Sequence, residues 1–249
     1  MLNLPDPLPP GVLHVFAAVL GLIFGSFVTA LTYRLPRGIS IATGRSACPA
    51  CGTALTARDL VPVFSWLMHR GACRTCGTKV SWRYPAIEVL MALLFVIAAL
   101  FVRDHSRLIV ILAATPIMVA LSVVDIEHRR LPNVLTGCLA VAAIASRYVT
   151  DADFVSAAVA AAAVFAFAVI LDHVGRRLIR QGLGMGDAKL MSVVALALPT
   201  GPLLLALGCA GCLGVVTGLL WRGGHPVGAT QVPFGPAILL ALWIAMVAL

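Results

Sequence analysis

The chain has 249 residues, 61% of them apolar and 11% charged, with a formal net charge of +8 and a mean hydropathy of +1.02. Too few polar residues are present to cover a water-facing surface, which excludes a soluble globular domain and leaves a multi-spanning membrane protein. The positive charge lies in short segments between apolar runs, so it reads as a topology signal with some attraction for anionic lipid heads, and no nucleic-acid partner is expected.

A hydrocarbon core of ~30 Å takes ~20 helical residues to cross. Apolar runs that answer to this lie near 11–33, 86–102, 108–125, 131–148, 154–173, 188–200, 202–221 and 232–249. They predict an all-α fold, a polytopic membrane helical bundle of about eight spans. The first run is expected to stay as an anchor, because Met1 to Pro10 carries no basic residue and the apolar stretch is too long for a cleaved signal. The sixth and seventh runs are parted only by Pro199, Thr200, Gly201 and Pro202, so a re-entrant hairpin is the alternative to two crossings. Ala157 to Ala163 and Gly214-x-x-x-Gly218 suit close helix packing in lipid. Two parts are expected: residues 1–85, one helix followed by a polar loop, and residues 86–249, a nearly continuous bundle.

Segment 34–85 holds eight of the eighteen basic residues, Arg34, Arg37, Arg45, Arg58, Arg70, Arg74, Lys79 and Arg83, against one acid, Asp59. Short loops rich in Lys and Arg stay in the cytoplasm. Counting from this loop places the N-terminus outside. Arg129, Arg130, Arg176, Arg177, Arg180, Lys189 and Arg222 fall inside, and Arg103, Arg107 and Arg147 outside.

The same loop carries Cys48-Pro-Ala-Cys51 and Cys73-Arg-Thr-Cys76, two C-x2-C knuckles separated by 21 residues. Four thiolates so spaced can surround one zinc ion, with Gly52 and Gly77 allowing the tight turns that follow. Two disulfides are disfavoured in a reducing cytoplasm, and a thiol-redox pair would use one knuckle. A metal with four sulfur ligands has no open position, so it would hold together a loop that lacks a core of its own. Cys209 and Cys212 also read C-x-x-C but lie in an apolar run, where they and Cys138 are expected to be small packing residues.

Further along, Asp125 ends an apolar run directly before Ile126-Glu127-His128-Arg129-Arg130-Leu131-Pro132. Asp187 follows Gly184-Met185-Gly186. A structural role is open to each: pairing with Arg129 one turn later for Asp125, and a helix N-terminus, where the dipole favours negative charge, for Asp187. Yet carboxylates are costly near lipid, and only ten occur in the chain. By the topology above both face the cytoplasm. Glycines before Asp187 would let an extended peptide approach its carboxylate. Two carboxylates that meet share a proton, so one acts as base on water while the other polarises a carbonyl, the chemistry of aspartyl proteolysis. No Gly-x-Ser-x-Gly turn, His-Glu-x-x-His helix or P-loop competes. Gly182-x-Gly184-x-Gly186 is a fragment of a dinucleotide fingerprint with no strand before it.

These residues resemble the type IV prepilin peptidases, bifunctional leader peptidases and N-methyltransferases of bacterial pilus and type II secretion systems. The likeness runs through Gly25-Ser26-Phe27, Tyr33-Arg34-Leu35-Pro36, the two knuckles, Pro62-Val63-Phe64-Ser65-Trp66-Leu67, Arg70-Gly71, and Arg83-Tyr84-Pro85 with Glu88. It continues with Asp125 seven residues before Pro132, Gly184-x-Gly186-Asp187 with Lys189-Leu190, and Pro233-Phe234-Gly235-Pro236. The resemblance implies that Asp125 and Asp187 are the catalytic pair of a Gly-x-Gly-Asp intramembrane aspartyl protease in the bacterial inner membrane. It implies prepilin or pseudopilin substrates, whose basic leader is cut after a glycine at the cytoplasmic face, and methylation of the new N-terminus from S-adenosylmethionine. The methylating activity would belong with residues 1–85 and the peptidase with 86–249. The chain departs from the family's habit at Thr29 (often Asn), Glu127 (often Asp) and Asn133 (often Asp). Glu127 is expected as a supporting group and Asn133 as a helix cap. Glu88 is expected either to contact the methyl donor or to lie at a helix interface. Two other classes share some of these features: a presenilin-like protease acting on other substrates, and a zinc-stapled scaffold or redox protein without proteolysis.

Overall fold

The structure, a computed structural model, describes residues 10–150, 153–178, 183–222 and 233–249. Met1 to Pro9, Arg180 and Gly182 lie outside the described residues. No strand occurs among the described residues. Two isolated antiparallel bridges, Ala47 with Ala54 and Ala72 with Lys79, are the extended pairings.

The chain divides into two compact units, Met1–Arg103 and Asp104–Leu249. In the first, α1 (Pro10–Arg34) leads into the cysteine loop, which contains the one-turn helix α2 (Phe64–Met68), and α3 (Arg83–Phe101) returns. Helices α1 and α3 pack closely because Gly21 and Gly25 lie four residues apart on one face. A Cβ on Gly21 would stand 2.6 Å from the Ala92 Cα, and one on Gly25 2.6 Å from the Glu88 Cα. Only residues without side chains permit such an approach, as in the small-xxx-small contacts of membrane helices. Buried around this seam are Val28, Met91 and Phe95.

The second unit holds α4 (His105–His128), α5 (Asn133–Val149), α6 (Phe154–Leu178), α7 (Met185–Ala197), α8 (Thr200–Arg222) and α9 (Gly235–Ala248). Helix α4 packs on α5 and α9, α7 lies against α5 and α6, and α8 against α9. Leu121, Leu139, Leu190, Val194, Ile238 and Leu242 form the fully buried core. Asp104 caps α4 by accepting the Arg107 N–H at 2.8 Å, satisfying one orphan donor of the first turn. At the other end Arg129 adopts the left-handed conformation and its N–H bonds the Asp125 carbonyl at 2.8 Å.

Each of the eight apolar runs read from sequence holds a helix, α1 and α3 to α9. Among the described residues, four segments are long and apolar enough to cross a membrane: Gly11–Arg37, Arg83–Phe101, His105–His128 and Phe154–Arg177. Helix α4 continues one turn past the expected end at Asp125, through Ile126, Glu127 and His128, and stops where Pro132 disfavours helical conformation in the residue before it.

Candidate functional site

Asp125 occupies the last full turn of α4 and is 5% exposed. Its Oδ2 accepts the Gly235 backbone N–H at 2.9 Å, so the carboxylate is held by the first residue of α9, 110 positions away. That is the positive end of a helix dipole. Asp187 stands in the first turn of α7, where it accepts the N–H of its own N-cap residue, Gly184. The charge of Asp125 acts on Asp187: the fold brings the two acids within electrostatic range, each served by a helix N-terminus.

The simple structural reading of Asp125 does not hold, since no ion pair joins it to Arg129 among the described residues. That of Asp187 as a first-turn acid holds alongside its proximity to Asp125. Gly184 and Gly186 also differ from expectation, because their open faces are used by the chain itself. A Cβ on Gly184 would lie 3.1 Å from the Asp187 Oδ2, and one on Gly186 would lie 3.2 Å from the Leu131 Cβ. A Cβ on Gly235 would be 2.7 Å from the Asp125 Oδ2 and 3.3 Å from the Leu131 Cδ2.

Asn133 does not cap α5. Pro132 is the N-cap residue and no side chain caps it. The Asn133 Oδ1 instead accepts from Lys189 Nζ at 3.0 Å, tying the start of α5 to the turn of α7 that carries Asp187. Glu127 is exposed in the last turn of α4. A cavity of about 240 Å³, lined by Arg107, Ser146 and Thr150 among others, lies at the opposite end of α4 from Asp125 and holds neither acid.

In the first unit, the four loop cysteines converge. The Sγ atoms of Cys48, Cys51, Cys73 and Cys76 all lie within 4.8 Å of one another, and Cys48 and Cys76 are 3.8 Å apart. A tetrahedral zinc with Zn–S of ~2.3 Å needs sulfurs ~3.8 Å apart, so the cluster fits that ion. The two knuckles repeat one design. Gly52 and Gly77 take φ of 70° and 71° and donate to the carbonyls of Cys48 and Cys73, both at 2.9 Å. Thr78, with its hydroxyl 3.3 Å from the sulfur, brings the Cys76 thiol down to about 6, and Thr53 lowers that of Cys51 in the same way. Thiolate character of this kind suits a metal ligand. Cys138, Cys209 and Cys212 are exposed on their helices, so they face outward rather than filling the bundle.

Glu88 is 7% exposed, and its carboxylate accepts the Val63 N–H at 2.7 Å with Ser26 as a further partner. It is an interface residue. Val63 has φ of 60°, costly for a β-branched side chain, and the Glu88 bond fixes the strained residue at the start of α2. Trp66 then lies over Gly71 and donates its ring N–H to the Val80 carbonyl at 3.1 Å.

Arg147, which charge counting assigns to the outer side, is a buried structural residue. It is 6% exposed in the last turn of α5. It donates to the carbonyls of Leu196 at 2.9 Å and Leu198 at 2.8 Å, capping the C-terminal end of α7. A lone arginine inside an apolar run was the available signal.

Residues 19–102 match the family model described as the bacterial peptidase A24 N-terminal domain, and 112–219 match the type IV leader peptidase family. A "Type 4 prepilin-like proteins leader peptide-processing enzyme" from Escherichia coli is 34% identical over 257 residues, spanning 93% of this chain and 92% of that protein. The chain belongs to the type IV leader peptidase family. Two other members carry the name "Prepilin leader peptidase/N-methyltransferase". That of Bacillus subtilis is 30% identical, over 88% of this leader peptidase and 88% of its own length. That of Myxococcus xanthus is 36% identical over 83% of the chain and 62% of its own length. No solved structure matches this family member.

Proposed function

We propose that this family member removes the leader of type IV prepilins or pseudopilins and methylates the N-terminus so exposed. The observation that carries the reading is the approach of Asp125 and Asp187 from two helices, each carboxylate held by an N–H at a helix N-terminus. Asp125 and Asp187 would share one proton. The ionised member takes a proton from water as that water attacks the scissile carbonyl, and the protonated member donates to the carbonyl oxygen. The tetrahedral intermediate then collapses, and a proton passes to the leaving amine.

The membrane arrangement goes with this reading: eight crossings in the bacterial inner membrane, the N-terminus outside and both acids at the cytoplasmic face, where a basic leader lies. Methylation is placed with residues 1–85 and cleavage with 86–249. Zinc, held by Cys48, Cys51, Cys73 and Cys76, has a structural part. S-adenosylmethionine supplies the methyl group when bound.

The test is mass spectrometry of a co-expressed prepilin's N-terminus. Wild type should remove the leader and add one methyl. Asp125→Asn and Asp187→Asn, at equal expression, should each lose at least ~10³-fold of the cleavage rate. Cleavage at wild-type rate in either variant would sink the mechanism.

A further inference from the structure

We infer that Leu131 is a specificity-determining residue, one that limits the size of the substrate residue beside the scissile bond. The inference rests on the reading of Asp125 and Asp187 as the acid pair. Leu131 belongs to the short link between α4 and α5, not to a helix, and it is half-buried. Its Cβ, Cδ1 and Cγ lie 3.2, 3.3 and 3.6 Å from where a Cβ on Gly186 would stand, and Gly186 is the chain neighbour of Asp187. Its Cδ2 lies 3.3 Å from the corresponding point on Gly235, a point that is itself 2.7 Å from the Asp125 Oδ2. One apolar side chain thus touches the backbone next to each acid.

A peptide carbonyl within reach of both carboxylates must carry its flanking Cα across this side chain. The two glycines bring their backbones flush with the site, and Leu131 takes up the space they leave. A substrate residue with no side chain passes, whereas a Cβ meets the leucine methyls. One methylene against a packed apolar wall changes kcat/KM by about 10- to 200-fold.

The experiment uses the full-length protein in detergent or lipid and a peptide with a basic leader followed by an apolar helix. The residue before the cut is Gly, Ala or Val. Wild type should prefer Gly over Ala by at least ~10-fold in kcat/KM. Leu131→Ala should lower that Gly-to-Ala ratio by roughly 10-fold, whatever its absolute rate, and Leu131→Phe should slow even the Gly substrate. If Leu131→Ala does not fold, Leu131→Val should shift the ratio in the same direction by less. An unchanged ratio in a folded variant that still cuts the Gly peptide would overturn the inference and leave Leu131 a packing residue. Cleavage that persists in Asp125→Asn would instead overturn the acid-pair reading beneath it.

Discussion

Asp125 and Gly235 make one unit although 110 positions separate them. The glycine gives both a donor and room: its N–H bonds the Asp125 Oδ2 at 2.9 Å, and an added Cβ would overlap that oxygen at 2.7 Å and crowd the Asp125 Cγ at 3.2 Å. The surroundings are buried, so the carboxylate has little freedom to yield. Gly235→Ala should therefore cut kcat/KM for cleavage by about 10²-fold, since a 1 Å displacement at a reacting group costs that much. It should also cost ~1–3 kcal/mol of stability through overpacking. Cleavage kinetics beside thermal unfolding in detergent would check both. An acid at the end of an apolar run marked Asp125 in the sequence, because the expense of placing it there invites a reason. The role of Gly235 was not marked. A hydrogen bond across 110 residues leaves no local pattern, and glycines near a helix start are common for other causes. Asn133 misled in the opposite way, as its residue type suits a cap while its neighbour in space, Lys189, is 56 positions on.

At the scale of elements, α7 is governed from both ends. Its N-terminus presents Asp187, and its C-terminus is held by the guanidinium of Arg147 from α5. Arg147→Met would keep the apolar stem and strip two charge-assisted hydrogen bonds from carbonyls that have no other helical partner. The expected cost is ~2–4 kcal/mol, with each such bond worth ~1.5–3 kcal/mol and the two not independent. The check is a fall in the unfolding midpoint together with slower cleavage, because a loosened α7 shifts Asp187. Apolar run length predicted the helices themselves, since a run of ~20 apolar residues in lipid has no alternative to a helix that satisfies its own backbone. It could not say which helices touch. The α1 and α3 contact was written in Gly21 and Gly25, four residues apart, but Gly214-x-x-x-Gly218 looks the same on paper.

For the whole molecule, the proposed function assigns two separable activities to one chain. Cys→Ser at any of Cys48, Cys51, Cys73 or Cys76 should release zinc, measured by elemental analysis of the purified protein. It should also lower methylation of a prepilin before it lowers cleavage. Loss of prepilin cleavage, with methylation of an already cleaved pilin intact, would reverse that assignment. The convergence of the knuckles was readable because two C-x2-C turns are a stereotyped spacing for bringing four sulfurs together, and their turns repeat the same backbone bonds. The number of crossings was less readable, as hydropathy measures how apolar a run is and not how far its helix extends.

Helix α7 has 13 residues and α9 has 14. At 1.5 Å per residue they rise only ~20 Å, against ~30 Å of hydrocarbon. Both begin beside the acids, so a shortfall at their N-terminal ends would fall on that side. If α7 and α9 cross, the bilayer is notched there and water can follow the notch down to Asp125 and Asp187. A charged leader could then rest in an aqueous recess while the apolar helix behind it never leaves lipid. Host-membrane thickness would then act on the enzyme, because a thicker bilayer deepens the recess that a short leader must span.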